Sequence, residues 1–139
     1  MSTLAKDMTL LGALYNFSGA CGFVIPGVLP MLGVEPPHSP MWLWLPALVL
    51  TYNSIVLYLC SKNLKKYAAF VYWNALIRCI FAVISIAGNF GATAGAMMGM
   101  IAYGDIVIGS VSMWSIQSSC GLSVYQLLSN DYTIDEKTK

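Results

Sequence analysis

The chain has 139 residues, a formal net charge of +1, 58% hydrophobic residues and only 9% charged residues. Soluble domains carry about 25% charged residues, so this composition excludes an ordinary water-soluble protein. The net charge also gives no reason to expect a nucleic-acid partner. We therefore expect a multi-pass integral membrane protein with one domain over residues 1–139 and the lipid bilayer as its surroundings.

Long stretches without Asp, Glu, Lys or Arg cover residues 8–34, 36–61, 79–104 and 106–130. A helix of about 20 residues crosses the roughly 30 Å of a bilayer's hydrocarbon core. The pattern predicts an all-α fold, a four-transmembrane-helix bundle with spans over about 8–31, 42–60, 67–88 and 96–116. Pro26 and Pro30 are expected to bend or end the first helix, because proline lacks a backbone donor.

The lysines outside these spans predict the orientation of the chain. Lys6, the cluster of Lys62, Lys65 and Lys66, and the lysines of the C-terminal tail fall on one side. The loops over 33–40 and 89–95 contain no Lys or Arg. Positive charge is retained on the cytosolic side, so we expect both termini in the cytosol.

Arg78 and Asp105 are the only charged residues between Tyr67 and Asn130, and each lies near the middle of a predicted span. A charge at the bilayer centre costs at least about 2.5–3.5 kcal/mol, so such residues usually face the bundle interior, pair with each other and carry function. We expect Arg78 and Asp105 to form a pair and treat both as candidate catalytic residues.

Every predicted span supplies a polar side chain at a similar depth, with Arg78 and Asp105 counted for the third and fourth spans, as counting 1.5 Å per residue from the interfaces shows. Two amides and one charged pair supply more donors and acceptors than a single ion pair needs, which favours a polar midplane pocket. Its candidate substrate-binding residues are Asn16, Asn53, Asn74, Tyr15, Tyr52 and Tyr103.

Such a pocket has the groups for acid–base chemistry. Asp105 can act as a general base, and Arg78 can hold that carboxylate ionised or stabilise developing negative charge. Asp, Arg, Tyr and Asn are also the residue types with which soluble limonene-epoxide-hydrolase-type enzymes open epoxides, a likeness of residue types only. The favoured function is a cofactor-independent enzyme for a lipophilic small molecule, acting by epoxide hydrolysis, epoxide-opening cyclisation or double-bond isomerisation.

Two other functions stay open on the same residues. The pair can serve only as interhelical glue in a non-catalytic accessory subunit or assembly factor of a membrane complex, since polar groups hold helices together in lipid. A transporter is the third possibility, and four short spans would then require a homo-oligomer.

Glu35 and His38 form a second-tier candidate in the first loop, where they could supply an acid and a base. One histidine and one carboxylate are too few to specify a metal site, so we expect no metal. The sequence indicates no redox cofactor either.

Single residues along the chain follow a recognisable order. Tyr15-Asn16 lies in the first helix, Leu32-Gly33 follows its proline-containing end, Arg78 lies inside the third helix, and Gly104-Asp105 lies inside the fourth. This order resembles the small four-helix DoxX-like membrane proteins over most of the chain. The resemblance implies a four-helix bundle and no particular reaction. Membrane enzymes of similar size also cyclise, isomerise or hydrolyse lipophilic intermediates in natural-product pathways.

Overall fold

The computed structural model describes residues 3–93 and 95–132. Those residues contain seven helices and no β-strand, which confirms the predicted all-α fold for this part of the chain. The lysines of the C-terminal tail, Lys137 and Lys139, lie outside the described residues. The helices are α1 (Thr3–Val24), α2 (Val28–Met31), α3 (Met41–Lys62), α4 (Ala68–Ala87), α5 (Phe90–Thr93), α6 (Ala96–Cys120) and α7 (Val124–Ser129).

The first long helix ends where the prolines predict. Helix α1 stops at Val24, two residues before Pro26, whose missing N–H cannot continue the ladder. Gly27 then adopts a left-handed φ of 85°, and the single turn of α2 follows with Pro30 inside it. Both boundaries of the predicted span over 8–31 differ from the structure, because α1 begins at Thr3, includes the exposed Lys6 and Asp7, and ends at Val24.

The four long helices pack chiefly as two pairs, α1 with α3 and α4 with α6. A Cβ built on Gly12 would lie 3.4 Å from Cδ1 of Leu57, and one built on Gly19 would lie 3.2 Å from Cδ1 of Leu50. Later residues of α1 therefore contact earlier residues of α3, so the two helices are antiparallel. Helix α1 touches α6, and α3 touches α4, over shorter stretches.

The largest apolar core lies at the end of the molecule that carries the 63–67 loop. Buried side chains meet there from the beginnings of α1 and α4, the ends of α3 and α6, and α7: Ala5, Ala13, Leu57, Cys60, Leu64, Ala68, Val71, Tyr72, Ile116 and Leu127. Toward the other end, the buried apolar positions are small, namely Ala20, Ala47, Ala82 and Ala102. Small residues let helix backbones approach closely, so this half is held by close contact rather than by bulky side chains.

Helix α7 was not predicted from the sequence. Ser123 and Gln126 form a capping box at its start, in which Ser123 Oγ accepts from Gln126 N at 3.2 Å and Gln126 Oε1 accepts from Ser123 N at 2.8 Å. Trp73 Nε1 donates to the carbonyl oxygen of Leu128 at 3.1 Å, which docks α7 on α4. The Ser-x-x-Gln spacing is a sequence signal that could have identified this helix.

Three of the helices are long and apolar enough to cross a bilayer: Met41–Lys62, Ala68–Ala87 and Met98–Cys120. Helix α1 is also 22 residues long but is not among them. These three helices support a membrane protein, in agreement with the composition.

Candidate functional site

Arg78 and Asp105 form the ion pair that the sequence predicts. Nη1 of Arg78, from the middle of α4, donates to Oδ1 of Asp105 on α6 at 2.7 Å. Both groups are removed from the surface, with exposed side-chain fractions of 9% for Arg78 and 7% for Asp105. A charge-assisted hydrogen bond of this length is among the stronger polar contacts in proteins.

The remaining donors of Arg78 bind two further helical segments. Nη2 donates to the side-chain oxygen of Asn16 and, at 3.2 Å, to the carbonyl oxygen of Gly12, both on α1. Nε donates to Oδ1 of Asn74, one turn earlier on α4, at 3.3 Å. Arg78, Asp105, Asn16, Asn74 and the Gly12 carbonyl are called the Arg78 cluster below. One guanidinium therefore links α1, α4 and α6.

Tyr15 borders the cluster through its ring. Cζ of Arg78 lies 5.0 Å from the centroid of the Tyr15 ring, within the range of a cation–π contact. The phenol oxygen is buried and forms no hydrogen bond within the described residues. On the α6 side, a Cβ built on Gly104 would lie 3.8 Å from this oxygen. Tyr15 therefore sits between α1 and α6, with an unused hydroxyl beside the charged pair.

The other predicted site residues lie apart from the cluster. Tyr52 and Tyr103 point outward, with exposed fractions of 66% and 63%. Asn53 is half-buried on α3, and its side chain forms no hydrogen bond within the described residues. Glu35 and His38 are exposed in the loop between α2 and α3 and take no part in the cluster's hydrogen bonds.

A small, partly open cavity of about 10 Å³ lies on the side of Arg78 that faces the core. All four long helices line it, with Met8, Thr9, Gly12, Leu57, Val71, Asn74, Ala75, Arg78, Ile108 and Ser112. Asp105, Asn16 and Tyr15 do not line this space, which is called the central cavity below. Its size corresponds to about one water molecule.

A larger, apolar groove of about 340 Å³ runs along the outside of the α1–α3 pair. It is lined by Leu10, Ala13, Leu14, Phe17, Ser54, Ile55 and Tyr58. No member of the Arg78 cluster borders it, so the lipophilic groove and the polar cluster are separate features.

The Gly12 carbonyl is the member of the cluster that the sequence did not predict. A backbone oxygen carries no residue-type signature, but Gly12 precedes Asn16 by one helical turn and so shares its face. Among residues 3–93 and 95–132, no three His, Cys, Asp or Glu side chains are grouped as metal ligands.

Comparisons of the chain with protein-family models, with curated proteins and with solved structures find no match. The resemblance to DoxX-like membrane proteins therefore stays a prediction, and the function has to be argued from the Arg78 cluster.

Proposed function

We propose that the chain is a four-span integral membrane protein with both termini in the cytosol. Helix α1 supports this as a fourth span, because it is as long as α3 and packs along it in an antiparallel direction. Lys62, Lys65 and Lys66 are exposed at the same end of the molecule as the start of α1. This end then faces the cytosol, as the distribution of positive charge favours.

Within that architecture, we propose that the Arg78 cluster holds the helices together in a non-catalytic membrane subunit or assembly factor. The observation that carries this proposal is the engagement of the guanidinium: four of its five N–H groups donate to acceptors on α1, α4 and α6. An arginine that serves a substrate would keep donors available for it. Here the protein's own acceptors use four of the five.

The space around the pair supports the same function. The central cavity has room for about one water, and it does not reach Asp105. Sites for drug-sized ligands are typically about 300–1,000 Å³. The central cavity is therefore too small for a lipophilic substrate, and the cluster is best explained by cohesion between helices.

An acid–base enzyme for a lipophilic small molecule remains the second candidate, on one specific observation. Oδ2 of Asp105 accepts no hydrogen bond within the described residues, and the nearby phenol of Tyr15 donates none. In epoxide hydrolysis, Oδ2 would take a proton from water as the water oxygen attacks a ring carbon. The ring C–O bond breaks, Tyr15 protonates the departing oxygen, and the proton held by Asp105 returns to the phenolate.

The substitution Asp105→Asn distinguishes the two functions. The amide is nearly isosteric but cannot carry the negative charge that balances Arg78. If the pair holds the helices together, the purified variant should have a lower melting temperature. It should also assemble less well into its membrane complex, as measured by native electrophoresis of gently solubilised membranes. Asn53→Ala is the matched control, because Asn53 is a midspan amide outside the cluster.

An enzyme gives the opposite pattern. Asp105→Asn would then unfold at the wild-type temperature and lose about 10²–10⁴-fold in turnover of a lipophilic epoxide, the usual contribution of a positioned proton-transfer group. That combination would overturn the cohesive role of the pair.

A further inference from the structure

Serine and asparagine side chains at the central cavity have unused hydrogen-bonding capacity. Ser112 lies on α6 with 7% of its surface exposed, and its hydroxyl forms no hydrogen bond within the described residues. Asn74 accepts from Arg78 through Oδ1, but its Nδ2 donates to no described residue. Both residues line the central cavity, from α6 and α4 respectively.

Thr9 adds a third polar group from α1. Its hydroxyl donates to the carbonyl oxygen of Ala5 at 2.7 Å, so the lone pairs of Oγ1 stay available to accept. A buried water typically makes about three hydrogen bonds and needs a cavity of at least about 10–15 Å³. The central cavity provides both, with about 10 Å³ and three polar side chains.

We infer that the central cavity is a specific binding site for one water molecule, held by Asn74, Ser112 and Thr9. Nδ2 of Asn74 donates to the water oxygen, and the hydroxyls of Ser112 and Thr9 complete its coordination. The water joins α1, α4 and α6 at a second level, next to the level of the Arg78 cluster. Its role is to hydrate the edge of the guanidinium and of Asn74 inside an otherwise apolar bundle.

The geometry also separates this water from the chemistry of Asp105. Arg78 borders the central cavity, whereas Asp105 and Tyr15 do not. The bound water is therefore a structural ligand of the helices and not the nucleophile of a hydrolase. The inference stands whether the protein is a subunit or an enzyme, because it depends only on the residues that line the cavity.

A structure of the wild-type protein at a resolution that shows ordered water tests the site directly. We expect one peak within hydrogen-bonding distance of Asn74 Nδ2 and Ser112 Oγ. A cavity closed by shifted side chains, or filled by hydrocarbon, would overturn the inference.

Magnetic resonance supplies an independent test in detergent micelles. The side-chain amide protons of Asn74 should show a nuclear Overhauser effect to long-lived water. Ser112→Val should remove this signal, because its methyl groups fill the cavity and remove a polar partner. Ser118→Ala should retain it, since Ser118 is exposed on the same helix and bonds only the carbonyl oxygen of Trp114.

Absence of the signal in the wild type, or its persistence in Ser112→Val, would show that no water is held there. If Ser112→Val does not fold, the wild-type spectrum decides the case alone.

Discussion

Gly109 on α6 lies so close to α4 that a Cβ built on it would be 2.8 Å from the carbonyl oxygen of Ala75. The same Cβ would be 2.6 Å from Sγ of Cys79. No side chain fits at this crossing without moving the backbone of α4. The close approach places α6 where Asp105 reaches Arg78.

Gly109→Ala is therefore expected to destabilise the protein by about 1–3 kcal/mol, the usual cost of overpacking. Gly104→Ala is the control, since its Cβ would lie an ordinary 3.8 Å from the Tyr15 hydroxyl. Both changes gain similar helix propensity, so the difference between them isolates the clash. Denaturation in detergent measures it, and equal stability of the two variants would contradict the close contact.

Asn16 of α1 and Asn53 of α3 should respond differently to truncation. Asn16→Ala removes an acceptor from the Arg78 guanidinium and is expected to cost about 1.5–3 kcal/mol, the range for hydrogen bonds to charged groups. Asn53→Ala should change stability little, because the Asn53 side chain forms no hydrogen bond within the described residues. Melting temperatures of both variants test this. A larger loss for Asn53→Ala would reverse the assignment.

Removing one member of the ion pair should cost more than removing both. Asp105→Leu leaves the buried guanidinium without its counter-charge and is expected to destabilise by about 3–5 kcal/mol. The double variant Asp105→Leu with Arg78→Met leaves no buried charge and should recover part of that loss, while the contacts of Arg78 with Asn16, Gly12 and Asn74 stay lost. Unfolding of the four members of this double-mutant cycle measures the coupling. Additive losses would show that the pair does not stabilise the bundle.

The proposed topology predicts opposite accessibility of two loops. Ser39 is exposed between α2 and α3, and Lys65 is exposed between α3 and α4. Ser39→Cys and Lys65→Cys, made after replacing the four free cysteines, should react with an impermeant thiol reagent from opposite sides of the membrane. Ser61 is a poor choice of position, because it is buried and its hydroxyl bonds the carbonyl oxygen of Tyr58. Labelling of both loops from the same side would refute four spans.

The sequence predicted two kinds of feature: those set by local sequence, such as the helices and their ends, and those set by the free-energy cost of charges in lipid. The stretches without charged residues predicted the long helices, and Pro26 predicted the end of α1. The high cost of isolated charges in lipid predicted the Arg78–Asp105 pair, depth counting added Asn16, and the four-residue spacing from Arg78 added Asn74.

The direction in which a side chain points from its helix was harder to predict than its level along the helix axis. Tyr52 and Tyr103 lie near the level of the cluster, yet they point outward, because neighbours in a helical sequence differ by about 100° around the axis. The Gly12 carbonyl and the central cavity arise from packing among four helices, which no single segment encodes.

The order of synthesis gives the Arg78 cluster a consequence for biogenesis. In the proposed four-span topology, α1 and α3 enter the bilayer before α4, so Asn16 and Gly12 reach it before the guanidinium that binds them. During that interval α3 is the only long helix that packs against α1 and its Asn16 amide. The close contacts at Gly12 and Gly19 hold the two helices together. Loss of Arg78 should then act first on maturation, as a half-assembled intermediate exposed to membrane quality control.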